Sequence, residues 1–192
     1  LDIKMEITGI SPVLCHNIAL ADPDNPFTKE IATYTSKRKK TEEDRRAIEK
    51  LEWFGGLYTD GEGGRPVMPT SNIRRCFVEA GKISKQGLQV TRALSFTDLN
   101  VPIVYDGPSD IKKLYLDPSY SDRSAVGVSG KRVMRVRPKF PRWALIATAY
   151  LLDDVMDVDD LRRIADRAGK AIGLGDNRIN GFGRFTVNVI GG

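Results

Sequence analysis

The chain has 192 residues, 41% of them hydrophobic and 29% charged, with 30 Lys and Arg against 25 Asp and Glu for a net charge of +5. This composition describes one globular domain over residues 1–192 and excludes a disordered or membrane-embedded chain. The longest apolar stretch, 143–152, has about half the length of a membrane-spanning helix, so no membrane partner is expected. Two cysteines, Cys15 and Cys76, exclude a disulfide framework and a cysteine-based zinc site and point to a reducing, cytoplasmic setting. Apolar and charged residues alternate from the start of the chain, where a signal peptide would instead show an apolar run.

That alternation, Ile3, Met5 and Ile7 against Asp2, Lys4 and Glu6, predicts a first strand over 2–8 with one buried face. Gly9 and Pro12 punctuate, and 21–27 reads as loop. A charged helix follows over 41–54. Thr41 caps it, Asp44 stands at the capping-box position, Ile48, Leu51 and Phe54 form a narrow apolar stripe, and Gly55-Gly56 stops it. One thin stripe marks 28–58 as an inserted helical segment, its helix making a partner contact or presenting a solvated face. Residues 59–66 turn into a short edge segment. Pro69, Thr70 and Ser71 then open a second helix with Ile73, Phe77, Val78 and Ala80 inward. Residues 84–142 read as an irregular basic extension, with an apolar stretch over 100–105, several turns and a strand-like basic run.

The C-terminal part is the most regular. A strand over 143–152 precedes a helix capped by Asp157, with Leu161, Ile164, Ala165, Ala168 and Ile172 at helical spacing. A glycine-rich turn and a last strand, alternating through Phe185, Val187 and Val189, complete it. With the first strand, the second helix and a strand near Val101, the order is β-α-β-β-α-β. That is a ferredoxin-like α+β core, the order shared by RRM-type nucleic-acid binders.

Enzyme motifs are nearly absent. No Walker loop, HExxH, GxSxG or CxxC pair occurs. His16 is the only histidine, which excludes a multi-histidine site built from one chain, and it reads as a partly buried residue beside Cys15. Cys76 reads as core filler on the second helix.

The sharpest motif is Gly173-Leu174-Gly175, five residues, then Gly181-Phe182-Gly183. Backbone N–H groups of such a loop cradle phosphate, with Arg178 and Arg184 supplying charge. The alternative is a helix C-cap and a tight turn that merely need glycine. Thr70 and Ser71 place a helix N-terminus, and Arg74 and Arg75 follow one turn later. Beyond Lys131 and Arg132, the cations Arg135, Arg137 and Lys139 alternate. In an extended run they share one face, spaced about 7 Å apart like single-strand phosphates, or they form an edge strand protected by charge. Trp143, Tyr105, Tyr115 and Tyr120 either stack bases or pack the interior. Asp22 and Asp24 offer carboxylates for metal-assisted phosphodiester cleavage or, with Asn25 and Pro26, form an Asx/Pro turn.

The paired Gly-apolar-Gly elements resemble the glycine-rich loop of the RAMP superfamily, the RNA-binding proteins of CRISPR systems. Pro66-Val67-Met68-Pro69-Thr70-Ser71-Asn72-Ile73-Arg74-Arg75 resembles the strand-to-helix segment of the CRISPR backbone subunits that coat guide RNA. Thr70, Asn72 and Arg75 stand where that segment carries Gly, Ser and Gly. The chain as a whole also resembles phage and prophage proteins carrying the same two motifs. The resemblance implies multiple copies along a strand or a multi-subunit assembly, and some RNA-cleaving relatives carry an Asp in the loop after the first strand.

Residues and resemblance together predict a binder of single-stranded RNA, or of single-stranded DNA, that holds the backbone without base specificity. The expected contacts are Thr70, Ser71, Arg74, Arg75, Lys131, Arg132, Arg135, Arg137, Lys139, Gly173, Gly175, Arg178, Gly181, Gly183 and Arg184. No cofactor, metal or catalytic residue is expected. The alternatives are a phage recombination protein that binds single-stranded DNA, a metal-dependent endoribonuclease using Asp22 or Asp24, and an interaction protein working through the 41–54 helix.

Overall fold

The computed structural model describes residues 1–61, 63–128 and 130–191, with the backbone alone at 128 and 131. In chain order the elements are β1 (Asp2–Gly9), β2 (Val13–Leu14), α1 (Pro26–Thr35), α2 (Glu42–Gly56), β3 (Val67–Pro69), α3 (Thr70–Ile83), α4 (Gly87–Ala93) and β4 (Leu94–Phe96). Then follow β5 (Asn100–Pro102), α5 (Ile111–Leu116), β6 (Ser121–Val128), β7 (Lys131–Phe140), β8 (Ala144–Leu151), α6 (Val158–Arg167) and β9 (Phe185–Gly191). They form two compact units. The first comprises Leu1–Val13, Thr59–Gly107 and Pro141–Gly192, the second Leu14–Tyr58 and Pro108–Phe140.

The first unit is built on a four-stranded sheet in the order β4-β8-β1-β9, antiparallel at each pairing. Crossing from β1 through α3 to β4, and from β8 through α6 to β9, it has the ferredoxin-like arrangement expected from the element order. Alternation makes one face of the sheet apolar. Ile3, Met5 and Ile7 of β1 and Leu145, Ala147, Ala149 and Leu151 of β8 are all buried. Ile73, Cys76, Phe77 and Ala80 of α3 and Leu161, Ile164 and Ala165 of α6 complete the core.

One strand differs from the expectation. The strand near Val101 is not part of this sheet: β5 pairs with β3, Met68 opposite Val101. The second core strand is β4, whose three residues are too few for a period of two to show. Asp157 caps α6, its carboxylate accepting the Asp160 N–H at 2.6 Å. The helix then widens into a π-helical turn, Ala168–Ile172. Gly169 lets that turn lie on β9, since a Cβ there would sit 2.0 Å from the Phe185 carbonyl oxygen.

In the second unit β6 and β7 form a hairpin, and the sheet order is β2-β7-β6. α2 runs along β7, and α1 packs on α2. α1 starts inside the stretch expected to be loop. Asn25 Oδ1 accepts the Phe27 N–H at 2.9 Å and Pro26 takes the first turn, so the Asn-Pro pair is a helix start. The face that α2 buries also differs from the expected stripe. Trp53 and Glu52 are buried, while Ile48, Leu51 and Phe54 are half-buried. Trp53 Nε1 donates to the Tyr120 carbonyl at 2.9 Å, and its ring meets those of Phe54 and Tyr115 edge-on. His16, expected to be partly buried, is exposed, and its carbonyl accepts from the Tyr58 hydroxyl.

The capping box of α2 forms in full. Thr41 Oγ1 accepts the Asp44 N–H at 3.2 Å and Asp44 Oδ2 accepts the Thr41 N–H at 3.0 Å. A hydrogen bond from Lys37, then the one from the Thr41 backbone, holds the Asp44 carboxyl below its ordinary value of 3.8. A depressed carboxylate stabilises the fold above its unfolded-state pKa, and the contribution disappears as pH falls through the lowered folded-state value. Asp44→Asn is therefore expected to lower Tm at neutral pH and to flatten the decline of Tm below pH 3.8. A Tm series on both proteins checks this; parallel acid limbs would show that Asp44 carries no acid sensitivity.

Candidate nucleic-acid interface

In the first unit the π-helical turn runs into the glycine loop. Gly173, Gly175, Gly181 and Gly183 have φ of 83°, 75°, 87° and 70°, and Asn177 is left-handed at 55°. The paired motif is thus a set of positions where side chains are disfavoured. The loop is tied down on both sides. The Leu174 N–H donates to the Gly183 carbonyl at 2.9 Å and the Gly183 N–H to the Pro12 carbonyl at 2.8 Å. Ser11 Oγ donates to the Gly181 carbonyl at 2.7 Å and accepts from the Arg184 N–H at 2.9 Å.

These bonds correct the expected mechanism. The N–H groups of Gly173, Leu174, Asn180, Gly181 and Gly183 all donate to protein acceptors, so at those five positions they do not cradle phosphate. Gly173 itself does what a helix C-cap does, its N–H reaching the Ala168 carbonyl at 2.8 Å. Gly175, half-buried, is outside this set of five, and the loop also carries the side-chain charge of Arg178 and Arg184.

Arg184 reaches back, Nη2 donating to the Arg178 carbonyl at 3.1 Å. Its Nη1 is buried, with no hydrogen-bond partner, 3.0 Å from where a Cβ on Gly173 would stand. The floor of the loop is α3, whose Cys76 thiol donates to the Gly173 carbonyl at 3.2 Å. Burial pushes that thiol up to about 12, against the pull of Arg178 and Arg184. One turn further along α3, a hydrogen bond from Lys82 holds the Glu79 carboxyl below its ordinary range, and the fields of Arg75 and Arg178 add to it. Arg75, Arg178 and Lys82 thus bear on the Glu79 carboxylate, and Arg178 and Arg184 on the Cys76 thiol one turn earlier.

The rest of the α3 N-terminus is committed to structure. Thr70 is buried, its hydroxyl donating to the Asp98 carbonyl at 2.6 Å and to the Leu99 carbonyl at 3.1 Å. Arg74 Nη2 donates to the Thr91 carbonyl on α4. Of the four residues expected there, Ser71 and Arg75 are exposed.

In the second unit the basic strand divides in a similar way. Arg132 is exposed, Lys139 is half-buried, and the Lys131 side chain lies outside the described residues. Arg137 turns inward. It is 5% exposed and its Nη2 donates to Asp122 Oδ2 at 3.0 Å and Ser124 Oγ at 2.6 Å, which corrects its expected place in a row of phosphate contacts. Arg135 Nη1 donates to Glu52 Oε1 at 2.6 Å, while Glu52 Oε2 accepts the Val136 N–H at 3.0 Å. β2 has only two residues, so that edge of β7 takes a side-chain partner from α2. These acids lie 15 and 83 positions from the arginines, beyond any local pattern.

The candidate stacking residues are mostly interior. Trp143 is buried, donating from Nε1 to the Ser11 carbonyl, and Tyr120 is buried against Phe140. Tyr115 packs on Trp53 and Phe54, and Tyr105 is half-buried. Asp22 forms an Asx turn, accepting the Asp24 N–H at 2.9 Å, and Asp24 pairs with Lys29. Among the described residues no group of three or more His, Cys, Asp or Glu side chains could hold a metal ion, and no helix is long and apolar enough to cross a membrane.

No protein-family model matches the chain, and no curated protein matches it. Among solved structures it is similar to a chain of the cryo-EM structure of the Type III-B Cmr-beta bound to cognate target RNA, at 14% identity and a TM-score of 0.54. The match covers 98% of this chain and 60% of the other. At that identity the likeness is one of fold, a ferredoxin-like α+β fold, and the chain spans 60% of the length of the chain it matches.

Proposed function

We propose that the chain binds single-stranded RNA as a subunit of a CRISPR-type effector assembly, holding the strand by its phosphates. The observation that carries this is the grouping of Arg178 and Arg184 on the glycine loop, where Arg184 Nη2 donates to the Arg178 carbonyl at 3.1 Å, with exposed Arg75 of α3, whose field meets that of Arg178 at Glu79. Three arginines at one end of the unit, two of them on a loop tied down by backbone hydrogen bonds, suit a phosphate backbone. Arg132 and Lys139 of the second unit supply further cations. The RNA-bound complex that holds the structural neighbour supports RNA as the ligand and a multi-subunit setting. Successive copies along one strand are part of the same reading.

The test is fluorescence anisotropy of a labelled single strand of ~30 nucleotides, RNA and DNA in parallel, at several salt concentrations. RNA is expected to bind more tightly than DNA, with affinity falling as salt rises. Arg75→Ala is expected to weaken binding to all sequences alike and to reduce the salt slope by about one. Equal or tighter DNA binding would favour the single-stranded DNA reading, and no binding to either strand would overturn the proposal.

A further inference from the structure

Resting on the RNA-binding reading, we infer that Ile179 is an apolar contact for an unpaired nucleobase, set at the tip of the glycine loop. Ile179 is 93% exposed, the highest exposure among the large hydrophobic side chains described. An exposed isoleucine on a mobile loop needs no explanation, but this one is held. Residues Arg178–Asn180 make one 3-10 turn bracketed by left-handed Asn177 and Gly181. The Asn180 side chain donates to Asn177 Oδ1 at 2.6 Å, and the Asn180 and Gly181 N–H groups close the turn onto the Asn177 and Arg178 carbonyls. Behind it, Arg184 holds the Arg178 carbonyl and Ser11 holds Gly181. The β-branched side chain is therefore presented at low conformational cost.

Its surroundings choose the occupant. Arg178 adjoins it in sequence, Arg184 donates to the Arg178 carbonyl, and the field of Arg75 on α3 meets that of Arg178 at Glu79, so an anionic chain is drawn to this end of the unit. Ile10 is 63% exposed on the turn after β1, which is hydrogen-bonded to the loop through Ile10 N–H to the Arg184 carbonyl and Ser11 Oγ to the Gly181 carbonyl. Two exposed apolar side chains beside clustered arginines fit a ligand whose charge and flat apolar surface alternate: phosphate on arginine, base face on isoleucine. A protein partner of this chemistry would need acidic and apolar residues in the same register; a single strand has both in every nucleotide.

The experiment compares the full chain with Ile179→Ala on two labelled strands of equal length, one of normal uridine nucleotides and one abasic. The side chain touches nothing that the fold needs, so the variant is expected to keep the wild-type Tm. The expected result is binding to the uridine strand weakened about tenfold, with an unchanged salt slope, and equal binding of both proteins to the abasic strand. A 2-aminopurine placed in the strand is expected to change its fluorescence on binding the wild type and less on binding the variant. Equal affinity of the two proteins for the uridine strand overturns the assignment, as does an equal loss on the abasic strand or a changed oligomeric mass. Failure of the wild type to bind either strand would instead defeat the RNA-binding reading.

Discussion

An alanine at Gly183 is expected to open the glycine loop and to cost the protein about 4 kcal/mol of stability. The added Cβ would stand 1.8 Å from the Leu174 carbonyl oxygen and 2.8 Å from its carbon, both backbone atoms that no rotamer change can move. With φ at 70° the residue would also carry left-handed strain, about 1–2 kcal/mol. Relief requires the two Gly-apolar-Gly elements to separate, which breaks the bonds from Leu174 to Gly183 and from Gly183 to Pro12. Gly181→Ala is the control within the same motif. Its φ is 87°, but a Cβ there meets nothing within 4 Å, so the strain alone remains, about 1 kcal/mol. Urea midpoints of the two variants separate close approach from conformational preference, and a wild-type midpoint for Gly183→Ala would show slack in the loop. The same pair bears on function. If the loop sets Arg178 and Arg184 for phosphate, Gly183→Ala loses RNA affinity well beyond Gly181→Ala.

Much of this frame was legible because it is written in local signals. The alternation of β1, the capping box at Thr41 and Asp44, the Asp157 cap and the spacing of Leu161, Ile164 and Ala165 each need only neighbours in sequence. The paired glycines were legible as a special backbone, and all four have positive φ. What they do was not, because it depends on which acceptors their N–H groups find: Gly183 reaches Pro12, far away in the chain. β4 escaped because three residues carry no period, and α1 because Asn25-Pro26 serves a helix start as well as a turn. Burial of Glu52, against the apparent stripe, follows from a strand edge that β2 is too short to cover, and burial of Trp53 from Tyr115 and Tyr120, more than sixty positions on. Ile179 carries no signal in the sequence, since the exposure of a single isoleucine depends on how its loop is held.

Arg137 shows most clearly how a cationic pattern divides between fold and ligand, and Arg137→Ala is expected to cost about 3 kcal/mol without any direct loss of a phosphate contact. Alternation did place Arg135, Arg137 and Lys139 on one side of β7. Both sides of its C-terminal half are covered, however, with Val136, Arg137 and Phe140 all buried. Arg137 stands directly across from Asp122 on β6, and its guanidinium serves both that carboxylate and the Ser124 hydroxyl. Removing it leaves Asp122, 17% exposed, as a charge with neither enough water nor its main partner. Replacing both members removes the cause, so Arg137→Met with Asp122→Ala is expected to recover most of the lost stability. Arg132 is the opposite case, exposed on the same strand. Arg132→Ala is expected to keep the wild-type urea midpoint and to lower the salt slope of RNA binding by about one, while the Arg137 double variant keeps the slope. A flattened slope in the double variant would return Arg137 to the phosphate row. A stable Arg137→Ala would show that Asp122 finds water in its place.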